Sequence, residues 1–184
     1  VSKINYCDAS ELPGDLMECR AWDLAATEGA GDWTVGARGG RSYLTKRVYV
    51  IHVERGQWEP NGVKQRVGSH AMMDGRTVKL RLPQDPGQAG KAQRVDFEQD
   101  QEIQQYNPIF RPVIVNKTTN AQGFASEVNK GNVWFVRAAW NFAVKEVLRK
   151  FRENIPDQLD DDVDALSDMY NELQDTMPPM RGSI

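Results

Sequence analysis

The hydrophobic positions of the N-terminal half fall into short runs with the length and composition of β-strands. An apolar run begins at Glu18, a Gly-rich turn follows at 29–31, and a second run starts at Thr34. A third run, RVYVIHVERGQ, is rich in Val, Ile and Tyr and is ended by Gly56 and Pro60. Such runs, separated by turn residues, predict a three-stranded antiparallel meander.

Beyond Asn61 the spacing of apolar positions changes from strand-like to helical. Val63, Val67 and Ala71 recur every four residues, which predicts a helix through Met72. The other predicted elements are strands at 77–82 (TVKLRL) and 112–115 (PVIV), a short strand or edge at 131–136 (GNVWFV), a polar helix over about 91–106, and helices over 140–151 and 160–173. A meander followed by alternating strands and helices indicates an α/β domain with a mixed sheet.

Length and composition favour a single globular domain. The 184 residues are 40% hydrophobic and 27% charged, and no apolar run approaches the roughly 18 residues of a membrane span. Two cysteines, Cys7 and Cys19, are too few for a disulfide framework, so a reducing setting is the default. We expect a flexible segment or linker at 1–17, the domain at 18–174 and a flexible tail at 175–184.

The net charge of −3 hides an uneven distribution of acids. Residues 1–152 carry 22 bases and 17 acids, whereas residues 153–184 carry 1 base and 9 acids. On the last predicted helix Asp161, Asp164 and Asp168 share one stripe, and apolar residues occupy the other side. Helix capping explains one or two of the acids at 160–162, but not Asp164 a turn further in, so the excess suggests cation binding. We interpret Glu172 and Asp175 as solvated surface charges.

Two further acids lie in or directly after predicted strands. Asp23 lies within the apolar run RAWDLAA, where a buried carboxylate is costly unless it is paired or bound to a metal. Asp85 lies between TVKLRL and a Gly-rich turn, where open α/β sheets bind ligands. Each also has a purely structural interpretation: Asp23 could bond turn amides, and Asp85 before Pro-Gly is a common turn former.

Carboxylates on three elements, without a Cys/His cluster, favour Mg²⁺ or Mn²⁺ over zinc. Two such ions can stabilise the attacking and leaving oxygens of a phosphodiester displacement. His52 and His70 look structural or exposed, and no phosphate-binding loop of an ATPase is present.

The order of five motifs resembles the C-terminal nuclease domain of tailed-phage terminase large subunits, the DNA-packaging motor proteins. These motifs are RAWDLAAT, GDWTVG, LPQDPGQAGK, GNVWFV with the following Trp140-Asn141, and DDDVDALS. The resemblance runs from about Glu18 to Leu173. It implies an RNase H-like fold: a mixed five-stranded sheet, the first three strands antiparallel, with helices on both faces. It also implies a Mg/Mn-dependent endonuclease that cuts concatemeric double-stranded viral DNA during packaging.

The resemblance also implies a ligand set for two divalent ions, Mg²⁺ or Mn²⁺. Asp23 would bridge both ions, Asp85 would complete one site, and Asp161 with Asp164 would complete the other. Because three acids stand in a row, Asp160 competes with Asp161 for this role.

Two other positions depart from the family pattern. Leu159 stands where His is frequent before the acid pair, and Asn120 replaces the Arg of a Lys-x-x-Arg sequence that begins at Lys117.

DNA binding also requires bases, because neutralised phosphates supply most non-specific affinity. The candidates for backbone contacts flank the motifs: Lys91, Arg94, Lys117, Lys130 and Arg137. As partners the resemblance implies double-stranded DNA, the terminase small subunit, the portal protein and an ATPase domain that precedes this one. It implies the cytoplasm of the infected bacterium as location, and no membrane.

Two alternatives stay open. Another RNase H-superfamily endonuclease, such as a Holliday-junction resolvase, could carry an acid pair three residues apart on its last helix. The domain could also be a non-catalytic module that docks on the motor or portal, with the acidic stretch as an interaction face.

Overall fold

The computed structural model describes residues 3–25, 33–113, 116–151 and 160–176. Seven strands of these residues form one sheet: β1 Asn5–Cys7, β2 Leu16–Asp23, β3 Thr34–Ser42, β4 Val48–Gly56, β5 Lys79–Gln84, β6 Ile109–Pro112 and β7 Val133–Val136. The α-helices of the described ranges are α1 Pro60–Asp74, α2 Gly87–Gln99, α3 Gln101–Gln104, α4 Lys117–Asn129, α5 Trp140–Lys150 and α6 Asp161–Thr176. A short 3₁₀ helix, Ala9–Glu11, lies between β1 and β2.

The strands lie in the order β1-β7-β4-β3-β2-β5-β6. β3 is antiparallel to both of its neighbours, whereas every other neighbouring pair is parallel. Six strands therefore run in the same direction and end at one edge of the sheet, called the carboxyl edge below. In open α/β sheets this is the edge at which ligands bind.

Helices cover both faces of the sheet. On one face α4, α5 and α6 pack over alternate strand residues, for example Ala21 of β2 and Val35 of β3. On the other face α1, α2 and α3 pack over Trp22, Leu80 and Leu82. The predicted α/β class, with a mixed sheet and helices on both faces, is confirmed.

The predicted count of five strands is wrong, because the sheet has seven. β1 was missed because three residues are too few to show an alternating pattern. It lies within the segment 1–17 that was expected to be flexible or a linker, and Asn5 Nδ2 donates to the carbonyl of Gly131 at 2.7 Å. The antiparallel meander is β2–β4, so its strands are the second to fourth of the chain rather than the first three.

The predicted helices also differ in extent. The helix expected over 91–106 is two helices, because the Asp100 carboxylate accepts from the amides of Glu102 and Ile103 and starts α3. α4 was not predicted, although Ala121, Phe124 and Val128 have helical spacing and are buried.

The remaining predicted bounds shift by a few residues. The strand expected at 112–115 is β6, which ends at Pro112. α6 extends two residues beyond the expected domain limit of 174, and the predicted tail from 177 on and the turn at 29–31 lie outside the described residues. No helix of the described part of the chain is long and apolar enough to cross a membrane.

Candidate metal centre

Asp23 is the last residue of β2 and therefore lies at the carboxyl edge. Along β2, Ala21 packs beneath α6 and Trp22 packs on the opposite face. Because side chains alternate along a strand, Asp23 projects on the same face as Ala21. Its register partner Val35 is buried in the core beneath α6. The first predicted ligand is thus at the rim of the face that the acidic helix covers.

Asp85 follows β5 directly and reaches the same edge. β5 pairs parallel with β2, with Ala21 opposite Arg81, so continuing this register places Asp85 two positions beyond the residue level with Asp23. Gly90 of α2 lies against this turn, since a Cβ at position 90 would be 2.2 Å from the Asp85 carbonyl oxygen. The strand-to-helix turn that carries Asp85 therefore depends on glycine.

The acidic helix α6 runs in the opposite direction to β5. Arg81 pairs with Asp168 at 3.0 Å, and Lys79, two residues earlier in β5, is 3.9 Å from Glu172, one turn later in α6. The first turns of α6 therefore lie toward the carboxyl edge. At 1.5 Å per residue Asp161 is about 10 Å beyond Asp168, or about three strand residues past Arg81. Both predicted helix ligands thus approach the edge where β2 and β5 end.

Glu172, expected to be a solvated surface charge, is buried, with 2% of its surface exposed. It accepts hydrogen bonds from Arg111 at 2.9 and 3.1 Å. Burial acts to raise the pKa of Glu172, but the bonds and charge of Arg111 outweigh it, so the pKa is lowered. The expectation is wrong because the partner lies 61 residues away on β6, a distance over which sequence patterns do not show pairing.

Two further acids of α6 are paired with arginines of the sheet. Asp168, on the predicted acidic stripe, binds Arg81 and accepts from Asn120 Nδ2 at 3.0 Å. Asp162 is 3.3 Å from Arg55 of β4. Burial raises the pKa of each carboxylate, and the neighbouring arginine opposes the rise. These pairs hold the helix on the sheet and separate two structural acids from the predicted ligands.

The predicted ligands share an edge but do not form a closed group. Over the described ranges, no three His, Cys, Asp or Glu side chains are grouped so that they could hold a metal ion. The donor set nevertheless consists of carboxylate oxygens alone, which suits a hard divalent cation such as Mg²⁺ or Mn²⁺. Asp160 directly precedes α6 and is half-buried, as is Asp161, so position alone does not choose between them.

The predicted DNA contacts are divided between the two edges of the sheet. Lys91 and Arg94 lie in α2, which begins at the carboxyl edge, and Arg137 follows β7 at the same edge. Lys130 precedes β7, so it lies at the opposite edge, where it pairs with Glu127 at 2.9 Å. The structure therefore does not bring Lys130 together with the other candidates.

The remaining contacts of these bases differ in character. Arg94 donates to the Gln84 side chain at 2.8 Å, next to Asp85, and Arg137 is 3.4 Å from Asp8. Lys117 is the first residue of α4, which follows β6, and its side chain lies outside the described part of the structure. A role in DNA binding stays a prediction for all five bases.

Sequence reasoning did not identify the residues that hold α6. Arg55 and Arg81 are charged residues inside strands with many apolar neighbours, and this is the signal that could have revealed them. Asn120 was noted only as a departure from Lys-x-x-Arg. It is buried, and its amide joins Asp168 to Asn171, whose Nδ2 donates to Asn120 Oδ1 at 2.7 Å.

No protein-family model and no curated protein matches this sequence. Solved structures do match along most of its length, among them the large terminase nuclease from thermophilic phage G20c with bound zinc. That structure has a TM-score of 0.65 and 18% identity, and the match covers 93% of this chain and 95% of the other. This chain has the fold of the large terminase nucleases, and the predicted RNase H-like fold is confirmed.

Other terminase nucleases match to a similar degree. The P22 large terminase nuclease domain has a TM-score of 0.62 and 15% identity, with 95% of this chain and 92% of that chain covered. The human cytomegalovirus terminase nuclease domain, manganese-soaked and inhibitor-bound, has a TM-score of 0.64 and 11% identity, with coverages of 92% and 89%. Further structures of the G20c domain hold magnesium and cobalt. Divalent metals are thus recurrent in structures with this fold.

Proposed function

We propose that this chain is the nuclease domain of a bacteriophage terminase large subunit, a Mg²⁺- or Mn²⁺-dependent endonuclease that cuts concatemeric double-stranded DNA during genome packaging. The observation that supports it is the placement of Asp23, Asp85 and the first turns of α6 at one edge of the sheet. The fold it shares with terminase nucleases that hold divalent metals points to the same chemistry.

In this proposal four carboxylates hold two divalent ions. Asp23 would be shared by both ions, Asp85 would contribute to one of them, and Asp161 with Asp164 to the other. Such ions, when bound, lower the pKa of a water ligand and stabilise charge on the attacking and leaving oxygens. The proposed donors come from β2, the turn after β5 and α6, and the DNA backbone would approach them at the carboxyl edge.

The proposal includes the surroundings of a packaging motor. We infer that the domain works beside an ATPase domain of its own chain, with the terminase small subunit and the portal protein as partners. Its location would be the cytoplasm of the infected bacterium. These inferences rest on the motif order and on the shared fold, and they specify double-stranded DNA as the substrate.

The decisive variant is Asp23→Asn, which keeps the shape of the side chain but removes its charge. We expect it to abolish Mg²⁺- or Mn²⁺-dependent nicking and linearisation of supercoiled plasmid while thermal unfolding stays close to that of the wild type. Asp96→Asn is the matched control, because Asp96 is an exposed acid of α2, and we expect its loss to leave cleavage intact.

Three outcomes would contradict the proposal. Retained metal-dependent cleavage by Asp23→Asn would remove Asp23 from the site. Cleavage of four-way junctions in strong preference to linear duplex would show a resolvase activity instead. Absence of cleavage by the wild type in Mn²⁺ would favour the non-catalytic docking module.

A further inference from the structure

A charged residue occupies the first position of the otherwise apolar stripe of α6. The residues of this stripe are spaced i, i+3, i+4, i+7 and i+11, and each is at most 1% exposed: Asp162, Ala165, Leu166, Met169 and Leu173. This spacing marks the side of a helix that packs on a sheet. A carboxylate is unfavourable there unless a cation compensates it, so the position of Asp162 demands a specific partner.

The partner is Arg55, near the carboxyl end of β4. One of its terminal nitrogens lies 3.3 Å from Asp162 Oδ2, and its guanidinium stacks over Trp33 at 4.3 Å from the ring centroid. Arg55 Nε and Asp162 Oδ1 are buried without a hydrogen-bond partner in the described part of the chain. The pair is therefore held in place by stacking and charge, close to the first turn of α6.

The position of Arg55 in the sheet links this pair to the candidate metal centre. Asp23, Val35 and Arg55 are register partners across β2, β3 and β4, so all three lie in one row and on one face. With neighbouring strands about 4.8 Å apart, Asp23 and Arg55 are separated by about 10 Å across the sheet. Arg55 thus fixes the start of α6 from the same row that carries the first predicted ligand.

Pinning Asp162 fixes the rotation of the helix about its axis. Each residue advances about 100° around an α-helix, so Asp161 and Asp164 lie about 100° and about 160° from Asp162 on the same side of the helix. A turn of the helix that moved Asp162 away from Arg55 would swing both predicted ligands away from the ends of β2 and β5.

We propose that Arg55 and Asp162 form a positioning pair that sets the orientation of Asp161 and Asp164, and thereby the affinity of the site for divalent metal. This inference rests on the proposed function, because it assumes that these two acids bind metal. Neither Arg55 nor Asp162 is itself a ligand.

The test is Mn²⁺ binding to the whole chain, measured by isothermal titration calorimetry, for the wild type and Arg55→Met. We expect at least a tenfold weaker affinity in the variant. Electrostatics alone predicts the opposite sign, because removing a nearby positive charge favours a bound cation. Unchanged or tighter Mn²⁺ binding by a folded Arg55→Met variant would overturn the inference.

Arg111→Met is the matched control, because it removes an arginine from an α6 ion pair at Glu172, about 15 Å along the helix from Asp162. We expect its Mn²⁺ affinity to stay within twofold of the wild type. An equal loss of affinity in Arg111→Met would show that any weakening of the helix has this effect, and would overturn a specific role for Arg55.

A double variant keeps the test valid if Arg55→Met does not fold. Arg55→Met with Asp162→Leu removes the buried charge together with its partner and completes the apolar stripe. We expect circular dichroism and thermal unfolding near those of the wild type but weak Mn²⁺ binding, whereas full recovery of Mn²⁺ affinity would overturn the inference. If the wild type itself binds no Mn²⁺, the proposed function fails rather than this inference alone.

Discussion

At the scale of single residues, the candidate site depends on one glycine as much as on its acids. A Cβ at Gly90 would meet the carbonyl oxygen of Asp85 at 2.2 Å and its carbonyl carbon at 2.7 Å. These are backbone atoms, which cannot move aside as the end of a flexible side chain can. The turn between β5 and α2 would have to shift, and Asp85 would shift with it.

We therefore predict that Gly90→Ala lowers both stability and metal-dependent cleavage. Overpacking at such a contact costs about 1 to 3 kcal/mol, which urea denaturation would measure. Gly14→Ala is the control, because a Cβ there would meet nothing within 4 Å, and it should leave both properties unchanged. Wild-type stability and cleavage in Gly90→Ala would show that the turn accommodates a methyl group.

Single residues also show what the sequence could and could not predict. Asp85 was placed correctly at a strand end because it directly follows its own strand in the chain, and such local patterns are readable. Asp23 was expected inside a strand run, with the strand end as the alternative, and it is the last residue of β2. The sequence analysis did not identify Arg55 and Arg81, and it took Glu172 for a surface charge. The roles of these residues depend on how the strands and α6 align across the sheet. The register of distant elements is set by tertiary packing, which no local pattern encodes.

At the scale of elements, α1 packs on the sheet through a polar cluster rather than an apolar seam alone. His70 of α1 faces His52 of β4 with ring centroids 5.2 Å apart, and its Nε2 is 3.6 Å from Glu54. Arg20 of β2 approaches His52 Nδ1 at 3.4 Å and pairs with Asp74 at the end of α1. The sequence predicted that these histidines are structural or exposed. His70 is buried, so for this residue the structural interpretation is the right one.

This cluster predicts a loss of stability in mild acid. Burial, and then the charge of Arg20, lowers the pKa of His70 to about 4, while Glu54 and Asp74 oppose the shift and His52 adds to it. The unfolded chain has a histidine pKa of about 6.5 and therefore binds the proton first as pH falls. The contribution of neutral His70 to the free energy of unfolding is complete above pH 6.5 and is lost progressively between pH 6.5 and 4.

The measurement is urea unfolding of the wild type and His70→Gln at pH 7 and pH 5. We expect the wild type to lose about 1 to 2 kcal/mol more than the variant over this interval, because Gln does not titrate. Equal losses in the two proteins would show that His70 carries a proton as readily in the folded state as in the unfolded state.

Elements differ in how well the sequence predicted them. β2–β4, α1 and α5 were predicted with small errors of extent, because their apolar residues recur with a clear period. β1 was missed because it has three residues, and its place in the sheet comes from pairing with β7, more than a hundred residues away. α4 was missed although its apolar spacing was present, since polar residues and Gly123 obscured the pattern.

At the scale of the whole molecule, the direction of the strands is a better guide to DNA binding than the net charge of −3. Setting aside the four predicted ligands leaves 22 acids against 23 bases, so the remaining surface is close to neutral. Three acids of α6 form ion pairs with arginines of the sheet. These pairs are Asp162–Arg55, Asp168–Arg81 and Glu172–Arg111. The acidic C-terminal end of the chain is therefore divided between a structural role and the proposed metal site, and it does not argue against DNA as a partner.

Strand direction predicts which bases contact DNA. If the metal centre lies at the carboxyl edge, the scissile phosphate is bound there, and bases at the other edge are more than a strand length away. Lys91 is exposed on α2 at the carboxyl edge, whereas Lys130 lies before β7 at the opposite edge. We expect Lys91→Ala to weaken binding of a short duplex and to reduce the slope of log affinity against log salt by about 1. Both quantities are measured by fluorescence anisotropy in EDTA, and the matched control Lys130→Ala should change neither. A loss of affinity in Lys130→Ala equal to that in Lys91→Ala would place the DNA across the sheet rather than along its carboxyl edge.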